Sequence, residues 1–313
     1  MMPLPAPRLC AVSVDLDEIT NYFDIHGLPP PSGDLAHVVY QVALERLEAF
    51  AASQNIPLTL FVIASDLAHS KNSQILQRLA SRGHELANHS FDHFYDLTRR
   101  SKEEMKAQVI DAAEAIERHT GVRPGGFRAP GYLITDELVD VLREAGVKYD
   151  SSVFPCPAYH AAKALAMGRI RFQGRESRSI LDHPRTLRAP TRPYRLGRPF
   201  RCRGQGPVEL PIQVTRGLRL PYIGTSLTLA GEKGALWLTR MVIGEPLVNL
   251  ELHGIDWLDR FDGLSALEGH QPDIRISLDR KLLIFAGVIQ RLRASGYAFV
   301  RLDEAAEAFG ARG

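Results

Sequence analysis

Strand-like and helix-like segments alternate along almost the whole chain, and this order restricts the fold more than any other feature. Residues 9–14 form a short apolar run, as expected of a strand buried on both faces. Residues 36–52 repeat apolar side chains at helical spacing (Val38, Val39, Val42, Leu44, Leu47, Phe50). Residues 58–63, opened by Pro57, are rich in β-formers. A short helix is read over 73–82, stopped by Gly83, and a strand over 85–88. Ser101 and Glu104 have the spacing of a capping box, opening a helix that runs to about His119. A strand at 126–128, a helix at 135–145 closed by Gly146 and a strand at 147–150 come next. After a long interval, strands are read at 208–212 and 247–252, a helix at 277–295 stopped by Gly296, and a last strand at 297–301.

Repeated β-then-α order implies parallel strands joined by right-handed crossovers. The expectation is an α/β fold, a distorted and incompletely closed (β/α) barrel of about seven parallel strands. A doubly wound open sheet is the alternative, but no glycine-rich phosphate loop follows the first strand. The length of 313 residues suits one such unit over 1–313. No apolar run approaches the roughly 20 residues of a membrane helix. The run at 9–14 is too short for a signal-peptide core and leads into acidic residues, so the protein is read as cytoplasmic. Three scattered cysteines, Cys10, Cys156 and Cys202, exclude a disulfide framework and a thiolate zinc cluster.

An arginine-rich excursion interrupts the pattern at about 157–207. Residues 169–219 hold thirteen arginines, no lysine and three acids (Glu176, Asp182, Glu209), about +10 in a chain whose formal charge is +2. It is read either as a solvated loop or as a segment over the barrel mouth that attracts an anion. It lacks the interleaved aromatics of a single-strand binder, so no nucleic-acid partner is expected.

Polar clusters fall at the ends of predicted strands: Asp15-Leu-Asp17-Glu18, His89-Ser-Phe-Asp-His93, Phe127-Arg128-Ala-Pro-Gly-Tyr132 and Glu251-Leu-His253. Strand ends on one face of a barrel are where distant residues converge on an active site. His89 and His93, four apart, would share one face of a helical turn and hold one metal ion. Asp15 and Asp17 supply two carboxylates, one for a metal and one for a base; Glu18 reads as a solvated neighbour. Arg128 sits before a Pro-Gly turn and would keep an aspartate ionised. His253 ends an apolar strand, as a buried core histidine or a proton donor.

Together these clusters resemble the polysaccharide deacetylase (NodB-homology) family. Residues 83–93, Gly-His-Glu-Leu-Ala-Asn-His-Ser-Phe-Asp-His, look like its second motif. Arg128-Ala-Pro130, Tyr149-Asp150-Ser-Ser and Glu251-Leu-His253 look like its third, fourth and fifth. The resemblance implies a single divalent metal ion, usually zinc, with Asp17, His89 and His93 as ligands and Asp15 as base. Arg128 would pair with Asp15, and His253 would be the acid, oriented by Asp150. The backbone N–H of Gly131 or of Tyr132 would face the oxyanion. The Asp-Leu-Asp spacing is similar to that of remoter members, deformylases of lipid-linked aminosugars and allantoinase-like proteins. It leaves open which aspartate is ligand and which is base.

The expected function is removal of an N-acyl group, first of all N-acetyl, from an amino sugar or sugar conjugate. The basic excursion suits a phosphate- or lipid-linked form of that substrate. Deformylase and cyclic-amide hydrolase readings use the same residues. A sugar O-acetyl esterase and an inactive carbohydrate-binding scaffold are the remaining alternatives.

Overall fold

The computed structural model describes residues 8–174 and 177–311. Nine strands form one sheet: β1 Arg8–Asp15, β2 Leu58–Val62, β3 Glu85–Asn88, β4 Gly126–Phe127, β5 Tyr149–Asp150, β6 Tyr194–Leu196, β7 Arg203–Glu209, β8 Leu247–His253 and β9 Tyr297–Phe299. The order β8-β1-β2-β3-β4-β5-β7 is a parallel wall of seven strands. β8 lies on the free side of β1, and the chain leaving β7 at the far end of the wall reaches β8 again, a closure that a barrel has and an open doubly wound sheet lacks. Two strands stand apart from the wall. β6 runs antiparallel on the outer edge of β7, and β9 pairs with residues 8–10 of β1.

The two ends of the wall meet without a full ladder. Gln213 N donates to Asn249 O at 3.2 Å, and Asn249 Nδ2 donates to Leu210 O at 3.0 Å. The barrel is therefore distorted and incompletely closed, as expected.

Side-chain alternation explains how the barrel positions chemistry. Cys10, Val12 and Val14 of β1, with Val248, Leu250 and Leu252 of β8, enter the large core cluster beneath the outer helices. The intervening residues face the interior. There Leu9, Ala11 and Leu247, near the N-terminal ends of β1 and β8, pack together with Phe61 and Ala87. Further along the same face come Ser13 and Asp15 on β1, and Asn249, Glu251 and His253 on β8, paired in register (Ser13 with Glu251, Asp15 with His253). The interior thus changes from apolar to polar toward the C-terminal ends of the strands.

Most predicted elements are present. Ser101 and Glu104 form the capping box of a helix at Lys102–Thr120. The helix read over 36–52 is instead a 3₁₀ turn at Gly33–His37, a π turn at Val39–Ala43 and an α-helix at Leu44–Gln54. The strand read at 208–212 lies earlier, at Arg203–Glu209, because Pro211 cannot donate to a ladder. Helices at Ile19–Ile25, Gly224–Val242 and Leu302–Gly310 were not read from the sequence.

The excursion is only partly a loop. It begins with a helix, Pro157–Phe172, in which Pro157 takes the first turn and Cys156 Sγ caps Tyr159 N at 3.4 Å. Ile170 is its one buried residue while Leu165 and Phe172 are exposed, so it carries no clear apolar stripe. Arg175 and Glu176, two charges of the basic count, lie outside the described residues. Among the described residues, no helix is long and apolar enough to cross a membrane.

Candidate active site

The four polar clusters converge at the C-terminal mouth of the barrel. Asp15 ends β1, and Leu16 N continues the ladder by donating to Phe61 O (3.1 Å), so the strand direction carries over to Asp17. Glu18 is not solvated. It is buried, and its carboxylate accepts from the backbone N–H of Ile19, Val39 and Tyr40, each at 3.2 Å. It thereby fastens the 33–43 turns over the barrel mouth.

His89 follows β3, but the two histidines do not lie on a helix. Ser90 (φ 70°) and His93 (φ 55°) adopt the left-handed region, and Ser90 Oγ accepts from His93 N at 3.1 Å. Gln108, on the capped helix, accepts from the N–H of Phe91 and Asp92 (3.2 and 2.8 Å). This tight turn brings the two imidazoles together, their ring centroids 4.9 Å apart. His89 Nδ1 lies 2.8 Å from Arg128 O, which turns Nε2 toward the cavity.

Asp17 Oδ1 stands 3.3 Å from His89 Nε2 and 3.3 Å from His93 Nε2. All three residues are buried, and Asp17 Oδ1 and both ring nitrogens of His93 have no hydrogen-bond partner. Atoms bound at about 2.0–2.1 Å around a tetrahedral ion stand about 3.4 Å apart. The three side chains therefore fit a single divalent ion. Burial works against charge on Asp17, but His93 and His89 hold its carboxyl well below the usual range. Burial likewise opposes charge on His89, and Asp15 and Asp17 outweigh it.

Arg128 is fully buried behind Asp15. Its Nη1 donates to Asp15 Oδ1 (2.5 Å), its Nη2 to Ser13 Oγ and Ser151 Oγ (2.9 Å each), and its Nε to Ser151 O (3.0 Å). Its guanidinium lies over the Phe61 ring, 4.0 Å from the centroid. The other oxygen of Asp15, Oδ2, is 3.7 Å from His89 Nε2. One carboxylate thus has one oxygen clamped and the other directed at the ligand cluster.

His253 ends β8 with Nδ1 2.9 Å from Glu251 Oε1 and Nε2 3.1 Å from the Tyr132 hydroxyl. Glu251, not Asp150, is therefore its carboxylate partner. Residues two apart on a strand share a face, so Glu251 and His253 both point inward. Asp150 is buried on the other side, accepting from Ser152 Oγ at 2.7 Å and paired in register with Glu209. Burial raises Asp150, and burial plus the neighbouring Asp150 raises Glu209 well above the carboxylate range. Burial disfavours a charge on His253, yet Glu251, Asp15 and Asp17 outweigh it and hold its pKa well above the ordinary imidazole value.

Sequence reasoning passed over Glu251, which lay inside a quoted motif, and the Tyr132 side chain. Gly131 (φ 64°) and Tyr132 (φ 61°) both take the left-handed conformation, and this double turn places the phenol on His253. Of the two candidate oxyanion donors, Tyr132 N already donates to Ala129 O (3.0 Å).

A cavity of about 510 Å³ opens over these residues. Its walls are mostly apolar and aromatic, among them Tyr22, Tyr95, Tyr132, Tyr159, Ile223 and Leu229. No described arginine of the excursion lines it. Arg192 pairs with Glu245 (2.7 Å), Arg198 pairs with Asp140, and Arg219 donates to Leu187 O (2.6 Å).

Residues 39–149 match the family model described as polysaccharide deacetylase. The peptidoglycan deacetylase of Helicobacter pylori is 24% identical over 147 residues, 46% of this chain and 49% of that protein. The chain thus spans about half the length of that curated relative. A Mycobacterium smegmatis structure assigned to the polysaccharide deacetylases aligns with a TM-score of 0.62 at 19% identity, over 99% of this chain and 93% of that one. Puue allantoinase aligns with a TM-score of 0.62 at 14% identity, over 99% and 92%. The family match and the curated relative bear out the resemblance to the polysaccharide deacetylase family. The two structures share the fold.

Proposed function

We propose that this chain is a divalent-metal-dependent amide hydrolase that removes an N-acyl group, N-acetyl first, from an amino sugar. The observation that carries the proposal is the meeting of three elements in one cavity: a buried Asp17–His89–His93 ligand set, a clamped Asp15 and a carboxylate-backed His253. Asp17, His89 and His93 would hold the ion, and two imidazoles with one carboxylate suit zinc. When bound, the ion would supply Lewis acidity, polarising the amide carbonyl and making water a nucleophile near neutral pH.

The remaining work falls to this chain's own residues. Asp15, with Oδ1 held by Arg128, has Oδ2 free to take a proton from attacking water. Of the two backbone donors we assign Gly131 N–H to the developing oxyanion, because Tyr132 N–H is already committed to Ala129 O. One such donor contributes roughly 3 kcal/mol. Protonated His253, backed by Glu251, gives a proton to the leaving amine, a group that departs poorly without one. The Tyr132 hydroxyl on Nε2 marks where the amine nitrogen would sit.

The cavity volume falls within the range of small-molecule sites. It suits one or two sugar rings better than a long polymer. The phosphate- or lipid-linked form read from the arginines loses its recognising residues, because none of those described lines the cavity. The cytoplasmic setting belongs to the same proposal.

The test is acetate release from N-acetylglucosamine and its short β-1,4 oligomers by protein loaded with one zinc equivalent. N-formylglucosamine and a cyclic ureide serve as parallel arms. Acetate release that a chelator abolishes is expected. Turnover of the formyl or ureide arm alone would replace the acyl group in this reading, and no turnover of any arm would contradict it.

A further inference from the structure

We propose that Lys163 recognises an anionic group, a carboxylate or a phosphate, carried by the substrate itself. This inference rests on the amide hydrolase reading above. Helix Pro157–Phe172 turns Ala158, Tyr159, Ala162 and Lys163 toward the cavity, a set at helical spacing. Among the described residues lining that cavity, Lys163 is the one lysine or arginine.

Its surroundings leave it under-satisfied. The ammonium has three donors. Among the described residues, Nζ makes one long hydrogen bond, to Gly131 O at 3.3 Å, and lies 5.9 Å from the centroid of the Tyr159 ring. The side chain is half-buried among aromatic and alanine walls. Burial pushes it down to about 8 against the pull of Asp182, so it is still mostly protonated at neutral pH. A cation with unused donors in an apolar cavity gains strongly from an anion that takes them up.

Position ties that anion to the reaction. The carbonyl that Lys163 holds belongs to Gly131, and the next residue, Tyr132, places its hydroxyl on His253 Nε2. Lys163 and His253 line the same cavity, so an anion held at Lys163 and an amide held at His253 would belong to one substrate. The anion-reading role expected of the excursion's arginines thus falls to a lysine on its first helix.

The experiment compares wild type, Lys163→Met and Lys163→Arg in the zinc-loaded protein. Probes are N-acetylglucosamine (neutral), N-acetylmuramic acid (a carboxylate on the same ring) and N-acetylglucosamine 6-phosphate. Calorimetric binding and acetate release are measured for each. We expect wild type to favour at least one anionic probe over the neutral sugar by about 10- to 100-fold. Lys163→Met should abolish that ratio and Lys163→Arg should retain most of it. The better of the two anionic probes identifies the group. A merely structural strut would weaken all three probes alike and leave the ratio unchanged, and that result overturns the inference, as does the absence of any preference in wild type. Hydrolysis of all three without a charge preference overturns only this inference. A charge preference in binding without hydrolysis sustains the Lys163 contact and contradicts the amidase reading.

Discussion

Arg128→Met is expected to destabilise the protein by about 3–5 kcal/mol, the range for breaking a buried ion pair by removing one partner. Methionine keeps much of the side-chain volume, so the loss is chiefly electrostatic. Asp15 would be left buried without the guanidinium that now lies 2.5 Å from Oδ1. Ser13 Oγ, Ser151 Oγ and Ser151 O would each lose a donor at 2.9–3.0 Å. All of these groups are buried, so water does not readily replace what is removed. Arg128→Lys should recover only part of the loss, because a single ammonium cannot serve four acceptors held in a planar fork. Urea unfolding measures the difference. A shift below about 1 kcal/mol for the methionine variant would mean that this contact does not hold the barrel interior together.

His253→Ala is expected to lower kcat for amide hydrolysis by about 10²- to 10⁴-fold, the contribution of a positioned general acid. An O-acetyl ester of similar size should lose much less, because its alkoxide leaves more readily than an amine. The pH profile sharpens this test. The catalytic form of His253 is the protonated one, and the Glu251 carboxylate, 2.9 Å from Nδ1, raises its pKa against the effect of burial. The acid therefore stays protonated through neutral pH and is lost only on the alkaline side. Wild-type kcat/KM should fall along a limb above pH 7 that is missing from the variant, and Glu251→Gln should move that limb to lower pH. Equal losses on amide and ester, with the limb unchanged, would remove His253 from the acid role.

Much of this arrangement was legible in the residues. Along β1 the inward positions read Leu9, Ala11, Ser13, Asp15, and along β8 Leu247, Asn249, Glu251, His253. Each series passes from apolar to polar toward the strand end, which is the interior of a barrel with its site at the C-terminal mouth. The same period of two marks Glu251 as the neighbour of His253, whereas Asp150 was chosen because it lay in a motif. The spacing of His89 and His93 suggests one face of a helical turn, but no helix brings the two rings together. The true cause is a turn through left-handed Ser90 and His93, a conformation that side chains other than glycine rarely announce.

Two further features depend on long-range packing that the sequence pattern does not reveal. Glu18 looks like a surface acid until Val39 and Tyr40 arrive to donate to it from 21 and 22 residues away. Lys163 belongs to a helix without an apolar stripe, beside a run of arginines that draws attention by charge alone. Arg192, Arg198 and Arg219 turn instead to carboxylates and carbonyls outside the cavity.

The central claim is that Asp17, His89 and His93 hold one divalent ion at the barrel mouth, and metal analysis tests it most directly. Wild-type protein, dialysed after exposure to zinc, should retain about one equivalent, and His89→Ala/His93→Ala should retain none while keeping its fold by circular dichroism. No metal in the wild type even after added zinc, or equal content in wild type and variant, would contradict the account.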